Sequence, residues 1–415
     1  MKRSLLALSV ITLLGASPAH AQSSLSSAAD LSSGLGQSLS SGSLSSVTSS
    51  ALSSEEMNAN DALKRLHEEW SYNEPSSRAG LRAMMSSLAM TESSSMIDGV
   101  IDKLWVRTNP GWPKPIDGSI TQAEVVEVVP SRYDDVERWM VASPANGRII
   151  PVDVYSPGTS TQPRPVVYMY EGVDGPNPSA WLQNGKAKEL FYDEDVYVVM
   201  VGEDYAHFYA DWVNDDPALG RNKMDTFRTV ELPSIIESRL NTNGKRAAMG
   251  LSMGASGAIM TANRHPGFYN GVVAISGCYS TLDEIGRQTA SLTVGSRGGD
   301  VENMWGPFGS EEWVRNDVIA NPEGLRGTTL YFGAASGAID DGIGRLTYKK
   351  GTVLDQSNGS LLEVGARECT ENMEASLKAA NIPATFEYHE TGAHAWSTFL
   401  KFAEPGWETI KPALF

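Results

Sequence analysis

From residue 165 onward the chain sets short apolar runs between longer amphipathic segments, and this rhythm constrains the fold more than any other feature. The runs are PVVYMY (165–170), VYVVMV (196–201), RAAMG (246–250), GVVAIS (271–276), TTLYFG (328–333) and ATFEYHE (384–390). Segments with helical spacing separate most of them, FRTVELPSIIESRL among them. Runs this short and continuously apolar read as strands buried on both faces, and strands that alternate with helices pair in parallel. The expectation is an α/β fold with a mostly parallel, doubly wound sheet, whose ligands bind at the carboxyl ends of the strands. Ahead of these runs, ERWMVAS and IIPVDVYS alternate apolar and polar residues around Pro144-Ala145-Asn146-Gly147, which predicts an antiparallel hairpin.

One of the runs leads into chemistry. Gly250-Leu251-Ser252-Met253-Gly254 fits G-x-S-x-G, follows the strand run RAAM and precedes the helical segment ASGAIMTANR. Strand, sharp turn and helix are the context in which this motif raises a nucleophilic serine above the sheet edge, with small residues flanking the tight bend. Ser252 is therefore the candidate nucleophile; a serine that only caps the helix is the plainer alternative. Ser256, one turn on, reads as packed against the sheet.

A serine hydroxyl needs a base, and the chain has six histidines. In doubly wound enzymes with this elbow the partners follow in the order acid, then histidine, which leaves His265, His389 and His394. His265 ends the helix that starts at the elbow, and His389 lies within the last strand run. His394 follows that strand in the loop ETGAHAW, at the carboxyl end where a base belongs. The acid is less determined. Asp340 or Asp341 in SGAIDDG follows the strand TTLYFG, and Glu363 opens the next helix; pattern alone favours Asp340.

Residues 1–21 have a charged start (Lys2, Arg3), an apolar stretch from Leu5 to Leu14 and the small-x-small site Ala19-His20-Ala21, and read as a secretory signal peptide. No later stretch is long and apolar enough to span a bilayer. Residues 22–54, about half serine, read as a disordered tether, because such a composition buries too little apolar area to offset chain entropy. Residues 55–105 read as a helical appendage, 106–134 as a connector and 135–415 as the catalytic domain. An exported chain can pair its two cysteines, Cys278 and Cys369; two buried free thiols are the alternative. The net charge of −17 argues against nucleic acid as a partner. Nothing in the sequence calls for a metal or cofactor.

GLSMGASGA, NMWGPFGSEEWVRND and GAHAW, in this order, resemble the antigen 85 mycolyltransferases, most closely their corynebacterial relatives. RWMVASPANGRIIPVDVY, VVYMYEG and HFYADW agree, so the resemblance runs from about 135 to 412. It implies an α/β-hydrolase fold and a serine-glutamate-histidine triad. The family's glutamate lies in a phenylalanine-leucine-glutamate step well ahead of the histidine; here that step is Leu361-Leu362-Glu363. The resemblance thus moves the acid to Glu363, with Asp340 as runner-up. It places the oxyanion amides at Met253 and Val173, and substrate contacts at Glu171 and Trp396; the aromatic-rich segment around Trp305, Phe308 and Trp313 reads either as part of the substrate site that keeps water from the acyl-enzyme or as a packed aromatic cluster. Departures touch the acceptor side. Glu171 stands where the family has an aspartate assigned to sugar binding, the arginine of that early loop is absent, and Ala395 replaces a serine beside the base. Phe332 stands where the mycobacterial enzymes carry a cysteine, and Cys278 and Cys369 are the candidates to tie that region instead.

The implied function is transfer of a mycolyl group from trehalose monomycolate, through an acyl-serine, to a hydroxyl of another trehalose mycolate, an envelope glycan such as arabinogalactan, or a protein serine. The implied location is the secreted or envelope compartment. A plain extracellular carboxylesterase of the same fold is one alternative, and a non-catalytic envelope or matrix-binding homologue is another.

Overall fold

The short apolar runs become strands; those inside the sheet have both faces covered, whereas the last, over Thr385–His389, is an edge strand of half-buried and exposed residues. The computed structural model describes residue 109 and residues 111–158, 160–338 and 353–415. The segments read as signal peptide, tether and helical appendage, and also Asp340 and Asp341, lie outside the described residues. Strands are β1 (Glu124–Pro130), β2 (Val136–Ser143), β3 (Arg148–Tyr155), β4 (Arg164–Tyr170), β5 (Asp174–Gly175), β6 (Tyr197–Val201), β7 (Asp204–Tyr205), β8 (Thr242–Leu251), β9 (Gly271–Ile275), β10 (Thr329–Ala335) and β11 (Thr385–His389). The helices that matter below are α1 (Ala180–Gln183), α2 (Leu232–Arg239), α3 (Met253–Arg264), α4 (Glu284–Gly295), α5 (Val301–Trp305), α6 (Glu311–Arg315), α7 (Val353–Ala379) and α8 (Trp396–Ile410).

The main sheet has nine strands in the order β1-β2-β3-β6-β4-β8-β9-β10-β11, and β5 and β7 form a separate two-stranded ribbon. β1, β2, β3 and β6 pair antiparallel, and from β6 to β11 every neighbour is parallel. The hairpin expected around residues 144–147 is β2–β3, with Ser143 opposite Arg148. Along β4, Val166, Tyr168 and Tyr170 enter one apolar core while Val167 and Met169 enter another, and Ala248 against Ala247 and Met249 repeats this division on β8. That is the period of two of a pleated strand. α3 covers the first face with Ala255, Ala258, Ile259 and Ala262. α8 covers the second with Phe399, Phe402, Ala403, Trp407 and Ile410. Those spacings form a single helical stripe, and each large side chain buried contributes roughly 1.5–3 kcal/mol.

The segment read as one helix over FRTVELPSIIESRL contains a π-helical turn, Phe227–Glu231, directly before α2. Pro233 explains it: proline has no N–H to donate and its ring crowds the carbonyl four residues back, so the preceding turn widens.

The chain divides into two compact units. The larger comprises Ser94–Ala335, Val364–His389 and Trp396–Phe415 and holds both sheets. The described residues of the smaller are 336–338, 353–363 and Glu390–Ala395. No helix among the described residues is long and apolar enough to cross a membrane.

Within the larger unit, Cys278 and Cys369 form a disulfide that links the segment after β9 to α7. It closes a loop with a sequence separation of 91, and a cross-link over so long a loop removes much entropy from the unfolded chain. Replacing both cysteines by serine is expected to cost about 2–4 kcal/mol, read from denaturant unfolding without reductant; an unchanged midpoint would contradict this.

Candidate active site

β8 hands over to α3 within a single residue. The Ser252 amide donates to the Ile275 carbonyl at 2.8 Å, continuing the β8–β9 ladder in which Leu251 opposes Ile275. The Ser252 carbonyl already accepts from the amides of Ala255 and Ser256 at 3.0 and 3.2 Å, as a helix start does. Meeting both demands puts Ser252 at φ 54°, ψ −127°, a region that non-glycine residues enter only at a cost of about 1–3 kcal/mol. Its side chain makes no capping bond to the helix, so the capping alternative leaves this conformation unexplained.

The motif's glycines are set by close approach. A Cβ on Gly250 would lie 2.2 Å from the Gly254 carbonyl oxygen, and a Cβ on Gly254 would lie 2.4 Å from that of Glu171 and 2.5 Å from that of Tyr170. The second contact shows that α3 begins directly against the turn after β4. A Cβ on Gly172 would lie 3.7 Å from Ser252 Cβ, so the turn 171–173 runs beside the serine. The Met253 amide is the first of α3, where no preceding turn supplies a carbonyl to accept from it. Ser256 is buried, and its hydroxyl accepts from the Cys278 amide at 3.0 Å.

In the smaller unit, Glu363 is 0% exposed and its Oε2 accepts from His394 Nδ1 at 2.8 Å. The His394 amide donates to the Gly359 carbonyl at 2.8 Å. The loop ahead of it is tied by Gly337 to Gly392 (2.9 Å) and Gly392 to Ala338 (2.8 Å). The imidazole is thus oriented from its backbone and from Nδ1, with Nε2 as the other ring nitrogen. The other histidines among the described residues have other partners. His389 pairs with Glu387 at 2.8 Å and packs on Phe402. His265 pairs with Asp225 at 2.8 Å. His207 is buried, its Nδ1 accepts from the Tyr209 amide at 2.9 Å, and burial holds it well below the usual imidazole range.

The structure therefore brings Glu363 and His394 together in one unit, and Ser252, Met253 and the turn containing Val173 in the other. Among the described residues, no group of three His, Cys, Asp or Glu side chains could hold a metal ion.

Two residues expected to contact substrate are buried in this structure. Trp305 is 0% exposed and packs edge-on against Trp313 with centroids 5.1 Å apart, because α5 and α6 fold their aromatic side chains into the core. Of that segment, only Phe308 is substantially exposed among its aromatic residues. Glu171 is 2% exposed, and Oε1 accepts a short hydrogen bond from the Ser179 hydroxyl at the start of α1. Trp396 opens α8 and stands edge-on to Trp181 with centroids 5.2 Å apart. Sequence reasoning missed Arg297, whose Nε donates to Asp174 Oδ1 at 2.7 Å beside Val173. A separation of 123 residues leaves no local signal of that pair.

Burial pushes Glu171 up to about 7, against the opposing pull of its hydrogen bonds from Ser179, Trp181 and Ala180 and of the Arg228 charge. A free glutamate titrates near about 4.3, so the folded state holds this proton more tightly than the unfolded one. The contribution is complete below about pH 4.3 and is lost as pH rises through about 7. Relative to Glu171→Gln, the wild type is expected to lose on the order of 3 kcal/mol between pH 4 and 8, measured by denaturant unfolding across that range. A pH-independent difference would contradict it.

Comparison with known proteins gives this geometry a family. A family model described as putative esterase matches residues 143–401. The chain is 30% identical over 275 residues to the diacylglycerol acyltransferase/mycolyltransferase Ag85A of Mycobacterium leprae (strain TN), covering 63% of this chain and 78% of that relative. The crystal structure of Mycobacterium tuberculosis MPT51 matches with a TM-score of 0.55 at 20% identity, over 69% of this chain and 100% of that one. An S-formylglutathione hydrolase from Agrobacterium tumefaciens matches at 0.54 and 16%, over 71% and 100%. At those identities the two structures bear on the fold, which they share. With a strained serine between strand and helix, a histidine on a buried glutamate, and relatedness over this length, the chain belongs to the esterase family and, within it, to the antigen 85-type mycolyltransferases.

Proposed function

We propose that the chain is a serine acyltransferase that moves a mycolyl group from trehalose monomycolate to a hydroxyl acceptor outside the cytoplasm. His394 Nε2 takes the proton of Ser252 as Oγ attacks the ester carbonyl. The Met253 and Val173 amides receive the developing oxyanion. Glu363 fixes the imidazole tautomer and stabilises the imidazolium. As the carbon–oxygen bond to trehalose breaks, His394 returns the proton to the departing sugar oxygen and leaves an acyl-serine. The acceptor hydroxyl then gives its proton to His394 as it attacks the acyl carbon, and as the acyl–Oγ bond breaks His394 returns that proton to Ser252 Oγ. The acceptor is a second trehalose mycolate, an envelope glycan or a protein serine.

The observation that carries this reading is the hydrogen bond from His394 to a fully buried carboxyl. It supports Glu363 over Asp340 as the acid, since a carboxyl shielded from water orients its partner most strongly. The strained backbone at Ser252 supports the nucleophile, and the likeness to Ag85A supports the acyl group transferred. The esterase family match favours hydrolysis as the second reading, because water as acceptor needs the same three side chains.

With trehalose monomycolate as donor and isotope-labelled trehalose as acceptor, the expected products are labelled trehalose monomycolate and unlabelled trehalose; free acid alone would favour the esterase. Glu363→Gln is expected to lower kcat by about 10²–10⁴-fold, with Asp340→Asn close to wild type. Loss of activity in Asp340→Asn with Glu363→Gln still active would reverse the assignment of the acid.

A further inference from the structure

The peptide group that carries the Val173 amide is flanked by two others, each fixed by a hydrogen bond. The Glu171 carbonyl accepts from the Tyr209 hydroxyl at 2.8 Å. The Val173 carbonyl accepts from the Ala206 amide at 3.0 Å. Both donors belong to one short stretch, residues 203–209. Four residues there, Glu203, Ala206, Phe208 and Tyr209, have φ between 48° and 56°. Non-glycine residues hold that conformation only where their surroundings over-determine it.

Those surroundings are on hand. Asp204 is buried against Arg148 at 2.6 Å. The His207 carbonyl accepts from the Ala210 amide and from Trp212 Nε1, both at 3.1 Å. The Tyr209 ring has the Arg228 guanidinium 4.6 Å from its centroid, supplied by the π-helical turn, and the Tyr170 ring at 4.4 Å. Gly257 completes the seat: a Cβ there would lie 2.1 Å from Tyr209 Cδ2. Glycine inside a helix is about 1 kcal/mol worse than alanine, so α3 gives up helix stability where the ring must fit. Burial holds the phenol well above its ordinary range, so the hydroxyl remains a donor at any working pH.

A phenylalanine would fill the same space. What the hydroxyl adds is one bond, to the carbonyl at the head of the turn that aims Val173. We propose that Tyr209 is a positioning residue of the oxyanion hole, and that its hydroxyl, together with the Ala206 amide, holds the 171–173 turn with the Val173 N–H aimed before substrate arrives. The inference rests on the reading of Ser252 as nucleophile and Val173 as oxyanion donor.

The test is Tyr209→Phe assayed with p-nitrophenyl butyrate and with a trifluoromethyl ketone of equal chain length, which forms a tetrahedral adduct on serine. Removing an oxyanion donor outright costs about 10²–10³ in kcat; a misaimed donor forfeits part of that. The expected result is a kcat lower by about tenfold or more, a KM within about twofold, and ketone affinity weakened in proportion to kcat/KM. Gly257→Ala, which keeps the hydroxyl but pushes the ring that carries it out of its seat, is the second variant and is expected to show the same split. Wild-type kcat in either folded variant overturns the proposal. So does a loss that appears in KM and melting temperature with ketone affinity unchanged, since that is packing alone. A wild type that neither turns over the ester nor binds the ketone overturns the serine reading itself, and this inference with it.

Discussion

The structure turns on one residue that must belong to a sheet and a helix at once. Ser252 gives its amide to the β9 side of the ladder and its carbonyl to the first turn of α3, and its backbone takes the strained conformation that satisfies both. The strain is tolerated because Gly250 and Gly254 let β8, α3 and the turn after β4 approach more closely than any Cβ would allow. The same close approach brings the Glu171–Val173 turn alongside the serine. The serine proposed as nucleophile and the amides proposed to stabilise the oxyanion are thus placed side by side by a single packing solution.

Around that point the larger unit devotes much of its buried polar inventory to holding short loops still. Asp317 Oδ2 accepts from the Ser280 hydroxyl and the amides of Thr281 and Leu282. Arg264 donates to Asp225, to Asn316 and to the Tyr209 carbonyl. Arg297 holds Asp174. Each lies in or beside a stretch that the resemblance singled out, and each is a bond across a long sequence separation. In this structure these motifs supply ties between segments far apart in sequence.

This explains what the sequence disclosed and what it withheld. The parallel sheet was legible because strands such as β4 and β9 are apolar on both faces and short, a pattern few other elements share. The elbow was legible because its glycines sit at fixed offsets from the serine. Position in the fold alone pointed to Asp340, whereas the carboxyl paired with His394 is Glu363, carried on α7; nothing local in SLLEVG distinguishes a buried glutamate from a surface one. Aromatic enrichment around Trp305 reads the same in sequence whether the rings line a cleft or fill a core, and here the Trp305 ring is buried. Glu171 is assigned to substrate only by resemblance to a family aspartate, and no sequence signal shows that its side chain is buried and its turn packed against the start of α3. Pairs such as Tyr209 with Glu171 and Arg297 with Asp174 have no sequence signature, since each requires the fold before the partners meet.

The account stands on covalent chemistry at a single hydroxyl, and the direct measurement is the site of acylation. The protein would be incubated with a slowly turned-over p-nitrophenyl ester, quenched in acid, digested and mapped by tandem mass spectrometry. The account predicts the acyl mass on the peptide that contains GLSMGASG, with fragment ions placing it on Ser252 and none on Ser256. An acyl group on another residue, or steady release of p-nitrophenol from a Ser252→Ala variant at the wild-type rate, would contradict it.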